Sequence, residues 1–252
     1  MSLQAFAFLI PYVLSLAITT GVGLLAWERR HSEAGTRLFA LYALAGASMI
    51  LGYIVELLTP TLEGKVFWDN TQFVGMFAAP IFALFFVLSY TGRMSPRLWR
   101  LAGGLILVFT DRFHGLVRAE SARLIASRSF PALTYDFTLT FVLMVVYATL
   151  PVLATVSLLL FETTHARPPF RLQNIILTLG FLTPLVITLL PVFGLEVASH
   201  RDLTPVGFAI GNIIVAVGLF QYGLFDLVPV AHERVVASMI DGIIVMDNRG
   251  YV

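Results

Sequence analysis

The chain has 252 residues, 58% of them hydrophobic and only 12% charged, with a mean hydropathy of +0.87 and a formal net charge of +1. This balance excludes an ordinary soluble domain, and the near-neutral charge gives no footing for nucleic-acid binding. The absence of cysteine excludes disulfides, haem attachment through CxxCH and thiolate metal sites.

Six stretches of at least eighteen residues carry no charged side chain: 1–27, 38–55, 70–92, 137–161, 172–195 and 203–225. About 20 apolar residues at 1.5 Å rise per residue cross a ~30 Å hydrocarbon core, and in lipid only a helix satisfies such a segment's own backbone. The first run lacks a basic n-region and continues for a full span, so it reads as an uncleaved helix. A shorter apolar stretch, residues 101–110, lies between Arg100 and Asp111. It is kept as the fourth span, with Arg100 snorkelling or the helix running past Asp111, because dropping it would put the flanking loops on inconsistent sides. The expected fold is an all-α integral membrane protein, a seven-transmembrane helix bundle in contact with the lipid bilayer.

Arginines set the orientation. One set of loops holds ten basic residues, Arg29, Arg30, Arg37, Arg93, Arg97, Arg100, Arg167, Arg171, Arg234 and Arg249; the other holds six, Lys65, Arg112, Arg118, Arg123, Arg128 and Arg201. Four of those six fall in one long connection, residues 111–136, so the short loops decide. The N-terminus is expected outside and the C-terminus in the cytoplasm, for a multi-pass protein of the cell membrane.

On the second span, Glu56 is an acidic side chain with no intervening loop signal. A carboxylate in hydrocarbon is costly and usually faces the bundle interior, although Thr59-Pro60 follows closely and Glu56 could also reach the headgroups. Lys65, the sole lysine, reads as a residue of the short outer loop beside Glu63 and Gly64. A retinal Schiff base needs a lysine inside a span, so neither retinal nor any other cofactor is expected. Trp68, Asp69 and Gln72 open the third span; Trp68 and Gln72, at i and i+4, share a helix face that could meet Glu56. The alternative for Trp68 is a place in an interfacial aromatic belt. Tyr147 on the fifth span and Asn212 on the seventh complete the ligand-binding candidates, and Glu56, Trp68, Gln72 and Asn212 are expected to line one pocket toward the outer side.

Asp111 and His114, at i and i+3, share the outer side with Glu196, His200 and Asp202. They make a weak alternative metal site that needs two loops to meet, with a solvated or packing role as the simpler reading. Pro151, Pro184 and Pro191 interrupt the fifth and sixth helices. Gly207, Gly211 and Gly218 form a smooth stripe on the seventh, suited to close packing within the bundle or to a dimer seam.

After Phe225 charge returns and the apolar period changes. Val235, Val236, Met239 and Ile240 follow helical spacing, whereas residues 242–247 (GIIVMD) read as a short strand with a turn at 247–250. The expected organisation is a seven-transmembrane sensory domain over 1–225, a cytoplasmic signalling helix over 226–240, and the truncated opening of a further domain over 241–252. The apolar seam of the helix would pair two copies as a homodimer in the full-length protein.

Several motifs in fixed order carry a family resemblance: GYIVELL at 52–58, FWDNTQFVG at 67–75, SYTGR at 89–93, TDRFHGLV at 110–117, the long LTPVGFAIGN…VAHE segment at 203–233 and SMIDGIIVMDNRG at 238–250. Together they resemble the N-terminal seven-transmembrane sensor region of membrane histidine kinases, and residues 237–252 resemble the first helix and strand of a PAS domain. The resemblance implies an input module that senses a small molecule and relays the signal to a cytoplasmic PAS or kinase output. No histidine here stands in a phospho-acceptor context and no ATP-binding region is present, so this chain is expected to catalyse nothing. The alternative is a transporter or channel. Against it stand the lone acidic candidate within the spans, no discernible inverted repeat and the output-like tail. An intramembrane enzyme ranks below both, since HExxH and GxSxG are absent.

Overall fold

The computed structural model describes residues 3–30, 35–95, 122–125, 130–134, 139–166, 170–190 and 202–221. Within them run six helices: α1 (Leu3–Glu28), α2 (Thr36–Leu58), α3 (Leu62–Tyr90), α4 (Leu139–His165), α5 (Phe170–Leu189) and α6 (Thr204–Gln221). Between α3 and α4 a small antiparallel hairpin pairs β1 (Arg123–Ile125) with β2 (Ala132–Thr134), Arg123 opposite Thr134. The expected fourth span, residues 101–110, and the exit segment, 226–252, lie outside the described residues. Five of the six helices are long and apolar enough to cross a membrane, and α6 is a shorter apolar helix over 204–218.

Polarity is distributed as lipid requires. Phe6, Val13 and Leu24 of α1, Leu143 and Leu150 of α4, and Leu172 and Leu179 of α5 are exposed, while Ser15, Thr155, Gln173, Asn174 and Asn212 are buried. In water that pattern would expose a costly apolar surface; in a bilayer the exposed leucines meet acyl chains and the polar groups are withdrawn into the bundle. The chain is a multi-pass, all-α membrane bundle.

Lipid tails are as apolar as leucine, so helix association rests on close packing of small residues. One tight seam joins α2 and α3: a Cβ at Gly75 would run into the Ala45 carbonyl and stand 2.9 Å from the Met49 amide nitrogen. α5 and α6 approach as closely, with the Gly180 carbonyl against Gly211 and Pro184 against Gly207. The glycine stripe of α6 is therefore spent, at Gly207 and Gly211, on packing within the chain. α1 lies against α2 and α6, and α4 against α3 and α5. Aromatic contacts fill the centre, with Tyr42 against both Phe181 (5.1 Å between ring centroids) and Phe208 (5.7 Å).

Helices α4 and α5 continue through Pro151 and Pro184, as α1 and α3 do through Pro11 and Pro80. Three of these prolines are followed four residues on by a hydroxyl that donates to the proline carbonyl: Ser15 to Pro11 (2.7 Å), Thr155 to Pro151 (2.8 Å) and Thr188 to Pro184 (2.8 Å). These bonds satisfy the hydroxyls internally, so no polar side chain next to these prolines is left to lipid.

The start of α3 departs from expectation. The charge-free run begins at Asn70, yet the helix begins at Leu62, with Thr61 as N-cap accepting from the Gly64 amide (3.3 Å) and Glu63 in the positive first turn. Two further turns of helix thus carry Lys65 and Asp69, both buried.

Candidate functional site

At the α2–α3 turn the sole lysine is not a loop residue: Lys65 sits in the first turns of α3 and is fully buried. Its Nζ donates to the Glu56 carbonyl (2.7 Å) and to Glu56 Oε1 (3.1 Å), and lies 3.5 Å from the Leu57 carbonyl. The ammonium thus neutralises the carboxylate and also caps the last turn of α2, where the helix dipole is negative. That corrects the premise that no lysine stands within a span.

One turn further along α3, Gln72 Nε2 donates to Asp69 Oδ1 at 2.6 Å, both residues buried. Tyr53, a turn before Glu56 on α2, packs edge-on against Tyr12 of α1 (5.1 Å) and its hydroxyl receives the Asp202 amide N–H at 3.4 Å. Asp202 in turn accepts from the Thr204 amide (2.8 Å), which fixes the first turn of α6, and the Thr204 and Thr188 hydroxyls meet at 3.1 Å. Four helices are thereby tied together at one end of the bundle.

These residues enclose a cavity of about 330 Å³. α2 contributes Met49, Tyr53, Glu56 and Leu57; α3 contributes Asp69, Gln72, Phe73 and Met76; Phe8 comes from α1, Thr188 from α5, and Asp202 and Thr204 from the head of α6. The hairpin closes the wall with Phe130 and Leu133, and Phe130 stacks edge-on against Phe8 (5.6 Å). Among the described lining residues there are three carboxylates and no basic side chain. A second, apolar cavity of about 130 Å³ lies among α3, α4, α5 and α6, walled by Pro80, Ala83, Val152, Phe181, Leu185 and Phe208 among others. Met76, Thr188 and Thr204 border both.

Of the ligand-binding candidates, Glu56, Asp69 and Gln72 converge on the first cavity. The single pocket expected of Glu56, Trp68, Gln72 and Asn212 forms only in part. Trp68 is half-buried beside Phe67 (5.4 Å) and is not among the described lining residues. The reason is angular: the α3 seam runs through 69, 72, 73 and 76, and at ~100° per residue Trp68 points about 90° from its middle. Asn212 lies eight residues into α6 beyond Thr204, about 12 Å deeper, and is fully buried with neither amide atom hydrogen-bonded. Tyr147 instead packs beside Phe73, Phe77 and Ala148. The alternative metal ligands Asp111, His114, Glu196 and His200 lie outside the described residues, and among the described ones no group of three metal-ligating side chains gathers. Asp202, placed with them by sequence, belongs to the cavity. Sequence reasoning missed Tyr53, Thr188, Thr204 and the hairpin residues; the polar Thr204 at the head of an apolar run was the one available signal.

A bundle with an apolar exterior, a buried ion pair and a polar cavity at one end defines a multi-pass membrane protein built around an internal site. Residues 11–229 match the family model described as the N-terminal 7TM region of histidine kinase, and the chain belongs to that family. No curated protein matches it.

Proposed function

We propose that this chain is the transmembrane input module of a two-component-type signalling protein, taking up a small-molecule signal in the cavity between α2, α3 and α6 and passing it through α6 to a cytoplasmic output. Family membership supports the sensory role. The observation that carries the site is that the cavity wall includes Asp202 and Thr204, the first turn of the helix that leads to the C-terminus. An occupant therefore touches the head of the output helix directly. For a signal to pass, the bundle needs two states that bind the occupant with different affinity, and a helix that shifts between them.

In this reading the N-terminus and the cavity face outward across the cell membrane, and catalysis belongs to kinase modules that follow the input region. The segment 226–240 leaves the membrane as a helix whose Val235, Val236, Met239 and Ile240 pair with a second copy, coupling two PAS-type domains. Lys65, fully engaged with Glu56, serves structure, and no chromophore takes part.

The test is autophosphorylation of the full-length protein carrying Gly211→Leu or Thr204→Phe. The first forces α6 away from Gly180, and the second fills the cavity at the head of α6. Both are expected to shift basal kinase activity at least fivefold, with membrane abundance unchanged. Activity equal to the parent in both, or no kinase activity in the parent, would overturn the reading. Orientation is read separately in this cysteine-free chain: an impermeant thiol reagent on intact cells should label Glu63→Cys and not Ser95→Cys.

A further inference from the structure

The two cavities are neighbours of opposite chemistry. One presents Glu56, Asp69, Gln72 and Asp202; the other is walled by Pro80, Ala83, Val152, Phe181 and Leu185. What divides them is Met76, a flexible side chain, and the hydroxyl pair Thr188–Thr204. Neither space alone suits an amphiphile: the first sets three carboxylates where a lipid tail could not pair them, and the second at about 130 Å³ is below the size of ordinary ligand pockets. Joined, they form one elongated site with a polar, acidic end and a dry end.

We propose that the two cavities are a single site for a short amphiphile, with a protonated amine head at Glu56, Asp69 and Asp202 and an unbranched aliphatic tail beside Pro80 and Phe181. The proposal rests on the signal-binding reading above and specifies the ligand's chemistry. Glu56 already holds one cation through Oε1, and Asp202 spends Oδ1 on the Thr204 amide; each carboxylate keeps further acceptor positions for N–H donors. An anionic head would enter beside three carboxylates of which Lys65 neutralises only Glu56, with no basic side chain among the described lining residues, so repulsion from Asp69 and Asp202 selects against it. The tail crosses at Met76 and lies against Pro184 of α5, which itself touches Gly211 of α6. Head and tail thus touch two points of α6, its first turn and Phe208.

The experiment is photoaffinity labelling of the full-length protein in lipid nanodiscs. Three probes share an eight-carbon chain with a diazirine near its end and differ in the head: primary amine, alcohol and carboxylate. The amine is expected to label residues of the second cavity such as Ala83, Val152 or Leu185, saturably and competed by unlabelled octylamine. The carboxylate is expected to label those residues at least tenfold less. Asp202→Asn, whose Oδ1 can still accept from Thr204, should lower amine labelling severalfold and leave the alcohol unchanged. Labelling confined to lipid-facing leucines such as Leu143 and Leu150, or equal labelling by all three heads, overturns the proposal; so does insensitivity to Asp202→Asn with the fold intact by thermal unfolding. The sensory reading is judged without ligand, from the kinase response to Gly211→Leu, so the two can fail independently.

Discussion

The two ends of α3 each carry an ion pair, and they differ in almost everything except charge. Near its start Lys65 meets Glu56 at 3.1 Å with side chains 0% and 7% exposed; just past its other end Arg93 meets Glu162 of α4 at 2.6 Å with side chains 42% and 27% exposed. The first pair is desolvated and persists because two helix carbonyls share the ammonium. The second lies over the Phe161 ring (5.4 Å) at a wet boundary, where water competes for both partners. The closer contact is therefore the weaker determinant of the fold, and distance is a poor guide to importance when burial differs.

That contrast can be broken by substitution. Lys65→Met leaves a buried carboxylate and two helix carbonyls without their donor, and is expected to cost about 3–5 kcal/mol, read as a large drop in thermal unfolding temperature in detergent. Replacing both partners, Lys65→Met with Glu56→Leu, should recover most of the loss, since an apolar pair of similar volume avoids the desolvation cost. A loss in the double variant as large as in the single one would mean that the carbonyl cap, and not the charge pair, is what matters. In the middle of the same helix, Gly75→Leu should cost about 1–3 kcal/mol by wedging α3 away from the Ala45 carbonyl. Asn212→Leu removes a buried amide with no hydrogen bond and is expected to be neutral or to raise stability by about 1 kcal/mol. The smallest effect belongs to Arg93→Gln, about 0–1 kcal/mol and diminished further in high salt, whereas the Lys65 effect should be insensitive to salt.

How much of this was legible in the sequence follows from what each signal measures. Charge-free length locates a helix that crosses lipid, and α1, α2, α4, α5 and α6 begin or end within a few residues of the charge-free runs. The same criterion misplaces the start of α3 by eight residues, because it stops first at Asp69 and then again at Lys65. A lysine that finds a carboxylate and two carbonyls on the preceding helix is no boundary, and that partnership joins residues nine apart through a turn. Glu56 and Gln72 were legible as interior groups from their cost in hydrocarbon. Trp68 was not separable from Asp69, since the i, i+4 relation fixes a shared face and leaves open which side of that face meets the neighbour. The β1–β2 hairpin has strands of three residues, too short for alternation to register.

The contact of α5 with α6 has a mechanical meaning. Pro184 has no N–H to offer the Gly180 carbonyl, so that oxygen faces Gly211 free of its usual ladder partner. The space that Gly180 leaves is filled from the other helix: Val215 Cγ2 of α6 seats against it as a knob in a hole, and the Thr188–Thr204 hydroxyl pair bridges the same two helices, so the seam is locked against axial slip. Across the bundle the Lys65 bonds clasp α2 to α3 in the same spirit, so each of the two close seams carries its own lock beside the glycine that lets the backbones meet.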